Sequence, residues 1–299
     1  MQTVATFVTD PLRADLGEEV VDSAIRALAS AGADIEGKGW LDDGVACDVV
    51  FTGPAIAEAR AILDRSCAGE SFDVVVQPFA GRRKALLIAD MDATIVEGET
   101  LDELAEAAGI KDRISAITAR AMRGEIEFKS ALRERVAMLK GLRVASLEAT
   151  YRRLKLNPGA HVLVRTMRAN GAFTLLVSGG FRYFVSRIAE AAGFDAFDCN
   201  DFEIEGDRLT GRVTEPVLDK DAKLAALRRF ADTRNVRLAD TMATGDGAND
   251  LPMIKAAGLG VAYHAKPLVE AEAQAAIRHG DLTALLYIQG YRRMDFRTG

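Results

Sequence analysis

Apolar and polar positions along the first eighty residues change period from block to block. Thr3–Thr9 is rich in β-formers, whereas Gly17–Ala31 carries apolar residues at helical spacing. Ala33–Leu41 and Val45–Thr52 read as strands, Pro54–Cys67 as a helix, and Phe72–Phe79 as a strand again. The predicted order is β-α-β-β-α-β. The stretch Pro78–Lys84 breaks the pattern with turn-forming and basic residues, which sets a domain boundary near residue 82.

Beyond that boundary the pattern changes. Ala85–Ala89 is short and wholly apolar, as a strand buried on both faces should be. The segment from about Gly98 to Lys155 is helix-forming and lacks proline. Ala172–Val177, Asp240–Thr244 and Gly258–Ala262 read as strands, with helices over Gly179–Ala192 and Asp250–Ala257. Phe202–Val213, centred on Glu205–Arg208, reads as a β-hairpin. Alternating strands and helices predict an α/β fold with a parallel sheet covered on both faces.

Composition narrows the function classes. Among 299 residues, 38 are Lys or Arg and 44 are Asp or Glu, so the net charge is −6. An acidic chain argues against non-specific nucleic-acid binding. No apolar run reaches the roughly 18 residues of a membrane span, and the first twenty residues lack the pattern of a secretory signal. Cys47, Cys67 and Cys199 are far apart, which argues against structural zinc or a disulfide framework and fits a reducing compartment. His161, His264 and His279 do not cluster, so catalysis is not expected to run on histidine.

The chemistry concentrates after predicted strands, where open α/β sheets bind ligands. Asp90-Met-Asp-Ala-Thr94 puts two carboxylates two residues apart, on one side of an extended chain. Their mutual repulsion calls for a hard cation such as Mg²⁺. Gly245-Asp-Gly-Ala-Asn-Asp250 supplies a tight loop and further carboxylates. Asp246 and Asp250 would share one side of a helix if a helix began there. Val177-Ser-Gly-Gly180 offers a hydroxyl and backbone N–H groups at a predicted helix start, which suits an anion. A capped helix start would look the same. Lys223 is a candidate phosphate-neutralising cation, with Lys220 its equal by composition.

This set, in this order, resembles the haloacid dehalogenase superfamily. Three longer blocks, Asp90–Ala105, Met122–Val136 and Ala243–Asp250, together with Val177–Phe181, look like the phosphoserine phosphatase family over about residues 84–290. The resemblance implies a Rossmann-like core over residues 83–299, with a helical cap inserted at about 98–160. Residues 1–82 resemble, in element order alone, the ferredoxin-like ACT modules that bind amino acids. A plain packing or dimerisation domain would show the same order.

What the resemblance implies is Mg²⁺-dependent hydrolysis of O-phospho-L-serine through an aspartyl-phosphate, as the last step of cytoplasmic serine biosynthesis. Asp90 would be the nucleophile, Asp92 the general acid and base, and Lys223 the phosphate-neutralising cation. Asp90, Asp246 and the Asp92 carbonyl would hold Mg²⁺, supported by Asn249 and Asp250. Ser178 and Gly179 would hold the phosphoryl oxygens. Glu99 would face the substrate ammonium and Arg135 its carboxylate, with Met122 and Phe128 closing an apolar lid. Ala93 departs from the serine usual at that position. A homodimer is admitted, with neither nucleic acid nor membrane as partner. Two alternatives keep the core: another phosphomonoester or a different acceptor, and an amino-acid sensor without turnover. The lack of an apolar membrane span sets aside the ion pumps that share related motifs.

Overall fold

A computed structural model describes residues 1–122, 125–218 and 220–298, without side-chain detail at 121, 122, 128 and 220. The chain runs β1 (Thr3–Val8), α1 (Glu18–Ser30), β2 (Asp34–Asp42), β3 (Ala46–Thr52), α2 (Ile56–Ser66) and β4 (Asp73–Pro78). These strands form an antiparallel sheet in the order β2-β3-β1-β4. One face, with Ala5, Phe7, Val49 and Val76, packs with α1 and α2 residues such as Val21, Leu28 and Leu63. Val8, Ala46 and Val75 belong instead to the large core shared with the rest of the chain.

The second half begins with β5 (Leu86–Ala89), followed by α3 (Thr100–Ala107), α4 (Lys111–Met122), α5 (Phe128–Ala137), α6 (Val144–Tyr151) and α7 (Ala160–Ala169). Then come β6 (Phe173–Phe181), α8 (Arg182–Ala192), β7 (Ala196–Asn200), β8 (Phe202–Glu205), β9 (Arg208–Val213) and α9 (Lys220–Thr233). The chain finishes with β10 (Thr241–Gly245), α10 (Leu251–Ala256), β11 (Leu259–Tyr263), α11 (Pro267–Glu272), β12 (Ala275–Ile277) and α12 (Ala284–Tyr287). A six-stranded parallel sheet has the order β12-β11-β10-β5-β6-β7. Strand β5 shows why its sequence is apolar throughout. Leu87 and Ala89 enter one core while Leu86 and Ile88 enter the other.

The fold class predicted from the sequence is thus observed, as is the hairpin β8–β9. Two helix starts differ. The helix expected from Gly179 begins at Arg182, because β6 continues through the two glycines. Its pairing with β7 jumps from Ser178–Cys199 to Phe181–Asn200, so Gly179 and Gly180 form a bulge rather than a first helical turn. Helix α10 begins at Leu251, with Pro252 in its first turn, so Asp246 lies in a loop and shares no helix with Asp250.

Helices α3–α6, a cap inserted in the chain between β5 and β6, meet the segment after β5 through the Thr100–Asp92 hydrogen bonds. The β8–β9 hairpin braces the cap. Gly141 N–H donates to Leu209 O at 2.8 Å, Leu209 N–H to Leu142 O at 2.9 Å, and Val144 N–H to Asp207 O at 2.8 Å. Arg133 pairs with Glu215 at 2.7 Å across the same seam. The N-terminal sheet is tied down elsewhere. The buried Asp73 carboxylate accepts the N–H groups of Arg278, His279 and Gly280 at 2.8, 3.0 and 2.9 Å. Gln77 donates to Ile288 O at 2.6 Å, and Tyr287 donates to Asp42 at 2.6 Å. Among the described residues, no helix is long and apolar enough to cross a membrane.

Candidate active site

Strand β5 leaves the sheet between β10 and β6, where the chain reverses its direction of travel across the sheet. The carboxyl ends of these three strands deliver Asp246, Asp90 and Ser178 to one crevice, as the sequence pattern expected. Asp90 N–H donates to Thr244 O at 3.0 Å, extending the β5–β10 ladder by one residue. Its Oδ1 accepts Met91 N–H at 2.8 Å and the Lys223 ammonium at 2.7 Å. Lys223 donates to Asp250 Oδ1 as well, at 2.6 Å.

Asp90, Lys223 and Asp250 are all buried. Burial, then the charge of Asp250, holds the Asp90 carboxyl well above the ordinary range, against the pull of Lys223. For Lys223, burial favours the neutral amine, but Asp250 and Asp90 outweigh it and its pKa is raised. Of the two lysines that composition left equal, Lys223 occupies the crevice, while the side chain of Lys220 lies outside the described residues.

Asp92 is half-buried. Its Oδ1 accepts the Thr100 N–H at 2.9 Å and the Thr100 hydroxyl, and Ser178 Oγ lies 3.5 Å from Oδ2. Burial raises the Asp92 pKa, and the Thr100 hydrogen bonds oppose that rise. Thr100 opens α3, so the first cap helix is fastened directly to this carboxylate. Ser178 Oγ in turn accepts Gly180 N–H at 2.8 Å. The serine and its glycines meet the crevice from the strand bulge, and not from a helix start.

The Gly245–Asp250 loop folds back on itself. Gly247 N–H donates to Asp250 Oδ2 at 3.0 Å. A Cβ on Gly245 would sit 2.5 Å from Asp250 Cγ, so only glycine admits this approach. Ligand oxygens of Asp90, Asp246 and Asp250 lie within 4.8 Å of one another. Asp246 is raised in pKa by burial and then by Asp250. Several close carboxylates against the Lys223 ammonium leave negative charge to neutralise, and an all-oxygen donor set fits a hard divalent cation. Asn249 is half-buried in the same loop.

At the mouth, Glu99 precedes α3. Solvent reaches its side chain, yet the protein around it, followed by Asp92, Asp246 and Asp102, raises its pKa to about 7. Arg135 on α5 is half-buried. Burial lowers its pKa against the opposing charges of Asp102, Glu99 and Asp92. Its hydrogen bonds to Ala131 O and Thr118 Oγ1 are both long, at 3.4 Å. The side chains of Met122 and Phe128 lie outside the described residues. Sequence reasoning missed three contributors: Thr100 on Asp92, Asn200 behind the glycine bulge, and Lys266, whose charge reaches Glu99 and Asp246. Only Thr100 carried a usable signal, being a hydroxyl residue at a predicted helix start.

Comparison with known proteins gives this geometry a family. Residues 87–255 match the haloacid dehalogenase-like hydrolase family. A phosphoserine phosphatase of Archaeoglobus fulgidus is 44% identical over 231 residues, which cover 77% of this chain and 67% of that protein. The unliganded crystal structure of a probable phosphoserine phosphatase from Vibrio cholerae superposes with a TM-score of 0.79 at 30% identity, covering 98% of this chain and 88% of that one. A phosphoserine phosphatase solved as a phospho-aspartyl intermediate analogue gives a TM-score of 0.64 at 37% identity, covering 69% of this chain and 98% of that one. The chain belongs to the phosphoserine phosphatases of the haloacid dehalogenase-like hydrolase family.

Proposed function

We propose that this chain hydrolyses O-phospho-L-serine to L-serine and phosphate in two steps, with Asp90 as nucleophile. The observation that carries this reading is the pairing of Asp90 with Lys223 at 2.7 Å, beside Asp92 held by Thr100 at 2.9 Å. Relatives at 37–44% identity that bear the phosphoserine phosphatase name support the substrate.

A carboxylate needs no base to attack phosphorus; its obstacle is repulsion from the phosphate dianion. Lys223 lowers that repulsion, and Ser178 and Gly179 would hold the phosphoryl oxygens. As the Asp90–phosphorus bond forms, the bond from phosphorus to the serine oxygen breaks, and Asp92 gives that oxygen a proton. The deprotonated Asp92 then takes a proton from a water molecule, whose oxygen attacks phosphorus. Phosphate leaves and Asp90 is restored. The Asp90 and Asp246 carboxylates and the Asp92 carbonyl would hold Mg²⁺, with Asp250 and Asn249 in support. Bound there, the ion supplies electrostatic neutralisation of the phosphoryl oxygens. Glu99 and Arg135 read the substrate's ammonium and carboxylate, the planar guanidinium matching two oxygens at once. Met122 and Phe128 would complete the lid. The same reading places the enzyme in the cytoplasm, at the step that frees serine in its biosynthesis, with residues 1–82 as a separate ACT-like domain.

The test is phosphate release from L-phosphoserine, phosphothreonine, phosphoglycolate, a sugar phosphate and an aryl phosphate, with and without Mg²⁺. We expect a Mg²⁺-dependent preference for L-phosphoserine, abolished by Asp90→Asn. Preference for another ester would discard the substrate and keep the chemistry. Turnover retained by Asp90→Asn would overturn the mechanism.

A further inference from the structure

We propose that Asn200 is a positioning residue, fixing the glycine bulge after Ser178 relative to the segment that leads into the Lys223 helix. The proposal rests on the reading of Ser178 and Gly179 as the phosphoryl cradle. Asn200 ends β7 and is 2% exposed. Its side-chain amide donates to Gly179 O at 2.8 Å, and its Oδ1 accepts Leu218 N–H at 2.7 Å. A weaker contact runs from the amide to Leu218 O at 3.5 Å. Leu218 lies two residues before α9, the helix that bears Lys223.

The consequence follows from peptide geometry. Gly179 and Gly180 fall where the β6–β7 ladder skips, so strand pairing does not fix their carbonyls. In a planar trans peptide the C=O and the next N–H point in opposite directions. Capturing Gly179 O therefore sets the direction of Gly180 N–H. That N–H holds Ser178 Oγ at 2.8 Å, and the hydroxyl lies 3.5 Å from Asp92. A buried amide reaching a glycine carbonyl in this way orients the cradle without touching substrate. Replacing it releases a peptide between two residues of the least restricted type.

The experiment is calorimetric titration of the Mg²⁺-loaded full chain with inorganic phosphate and, separately, with L-serine. Two variants are compared with the parent. Asn200→Ala removes both hydrogen bonds. Asn200→Asp keeps the acceptor for Leu218 N–H and replaces the amide donor to Gly179 O and Leu218 O with a carboxylate oxygen. We expect the phosphate dissociation constant to rise about tenfold in both, and that for serine to stay within about twofold. An equal rise in the two variants separates the lost donor from the added charge of aspartate. Should Asn200→Ala fail to fold, Asn200→Ser, which removes the amide without adding a charge, is read in its place. Phosphate affinity within about twofold of the parent in a folded variant overturns the proposal. So does equal weakening of serine, which marks a general structural role. A parent chain that binds no phosphate overturns the cradle reading, and the positioning role with it.

Discussion

Glu99 and Thr100 are neighbours with opposite effects on the site. Glu99 is held at a pKa of about 7, against 4.5 for an ordinary glutamate, so the folded state binds its proton more tightly than the unfolded chain. Its contribution to stability is therefore present below pH 4.5 and is lost as pH rises to 7 and beyond. Glu99→Gln, in a chelator, should melt higher than the parent at pH 8 and equally near pH 4. Because solvent reaches this side chain, the gain is discounted to about 1 kcal/mol, a few degrees in Tm. A variant less stable at pH 8 would contradict the sign. Thr100 acts through hydrogen bonds that favour ionised Asp92. Thr100→Val removes the hydroxyl and keeps the N–H, so the Asp92 pKa should rise. The alkaline limb of kcat/KM, where the protonated acid is lost, should then move to higher pH. An unmoved limb with a lower plateau would assign Thr100 to folding alone.

At the level of elements, the β8–β9 hairpin is hydrogen-bonded to the cap between α5 and α6. A Cβ on Gly211, at φ +82°, would meet Lys140 Cβ at 2.9 Å. Gly211→Val should push β9 off the end of α5. Hydrogen exchange should quicken over residues 128–151, while β5 and β10 stay protected. Uniform loss of protection would mean that cap and core unfold together. Much of the element map was legible because periods of two and 3.6 are written into the apolar positions. The bulge at Gly179–Gly180 was not. A serine followed by two glycines fits a helix start as well as a bulge, and only the later strand β7 decides between them. The acidic pairs and the Gly245–Asp250 loop were readable because their chemistry is local in sequence. Asn200 was not, since its partners lie 21 and 18 residues away and nothing near it in sequence announces them.

On the scale of the whole molecule, the N-terminal sheet is docked through a few buried polar contacts as well as apolar ones. Asp73 satisfies three successive N–H groups of the 278–280 turn. Asp73→Ala would leave these donors without their acceptor and should cost about 3 kcal/mol in urea unfolding. The same variant should expose the seam around Gln77 and Tyr287 before the parallel sheet unfolds. A loss under about 1 kcal/mol would show that water replaces the carboxylate there.

The hairpin brace has a further consequence for how such enzymes are recombined. The cap is contiguous along the chain only at first sight, because Leu209 and Asp207 complete its backbone hydrogen bonding from beyond β6 and β7. A chimera that exchanges residues 98–157 alone would carry a seam with mismatched partners. An exchange that also takes residues 202–215 would transplant a matched pair. For this architecture the unit of inheritance is two separated stretches of sequence, and substitutions in one should be answered by substitutions in the other.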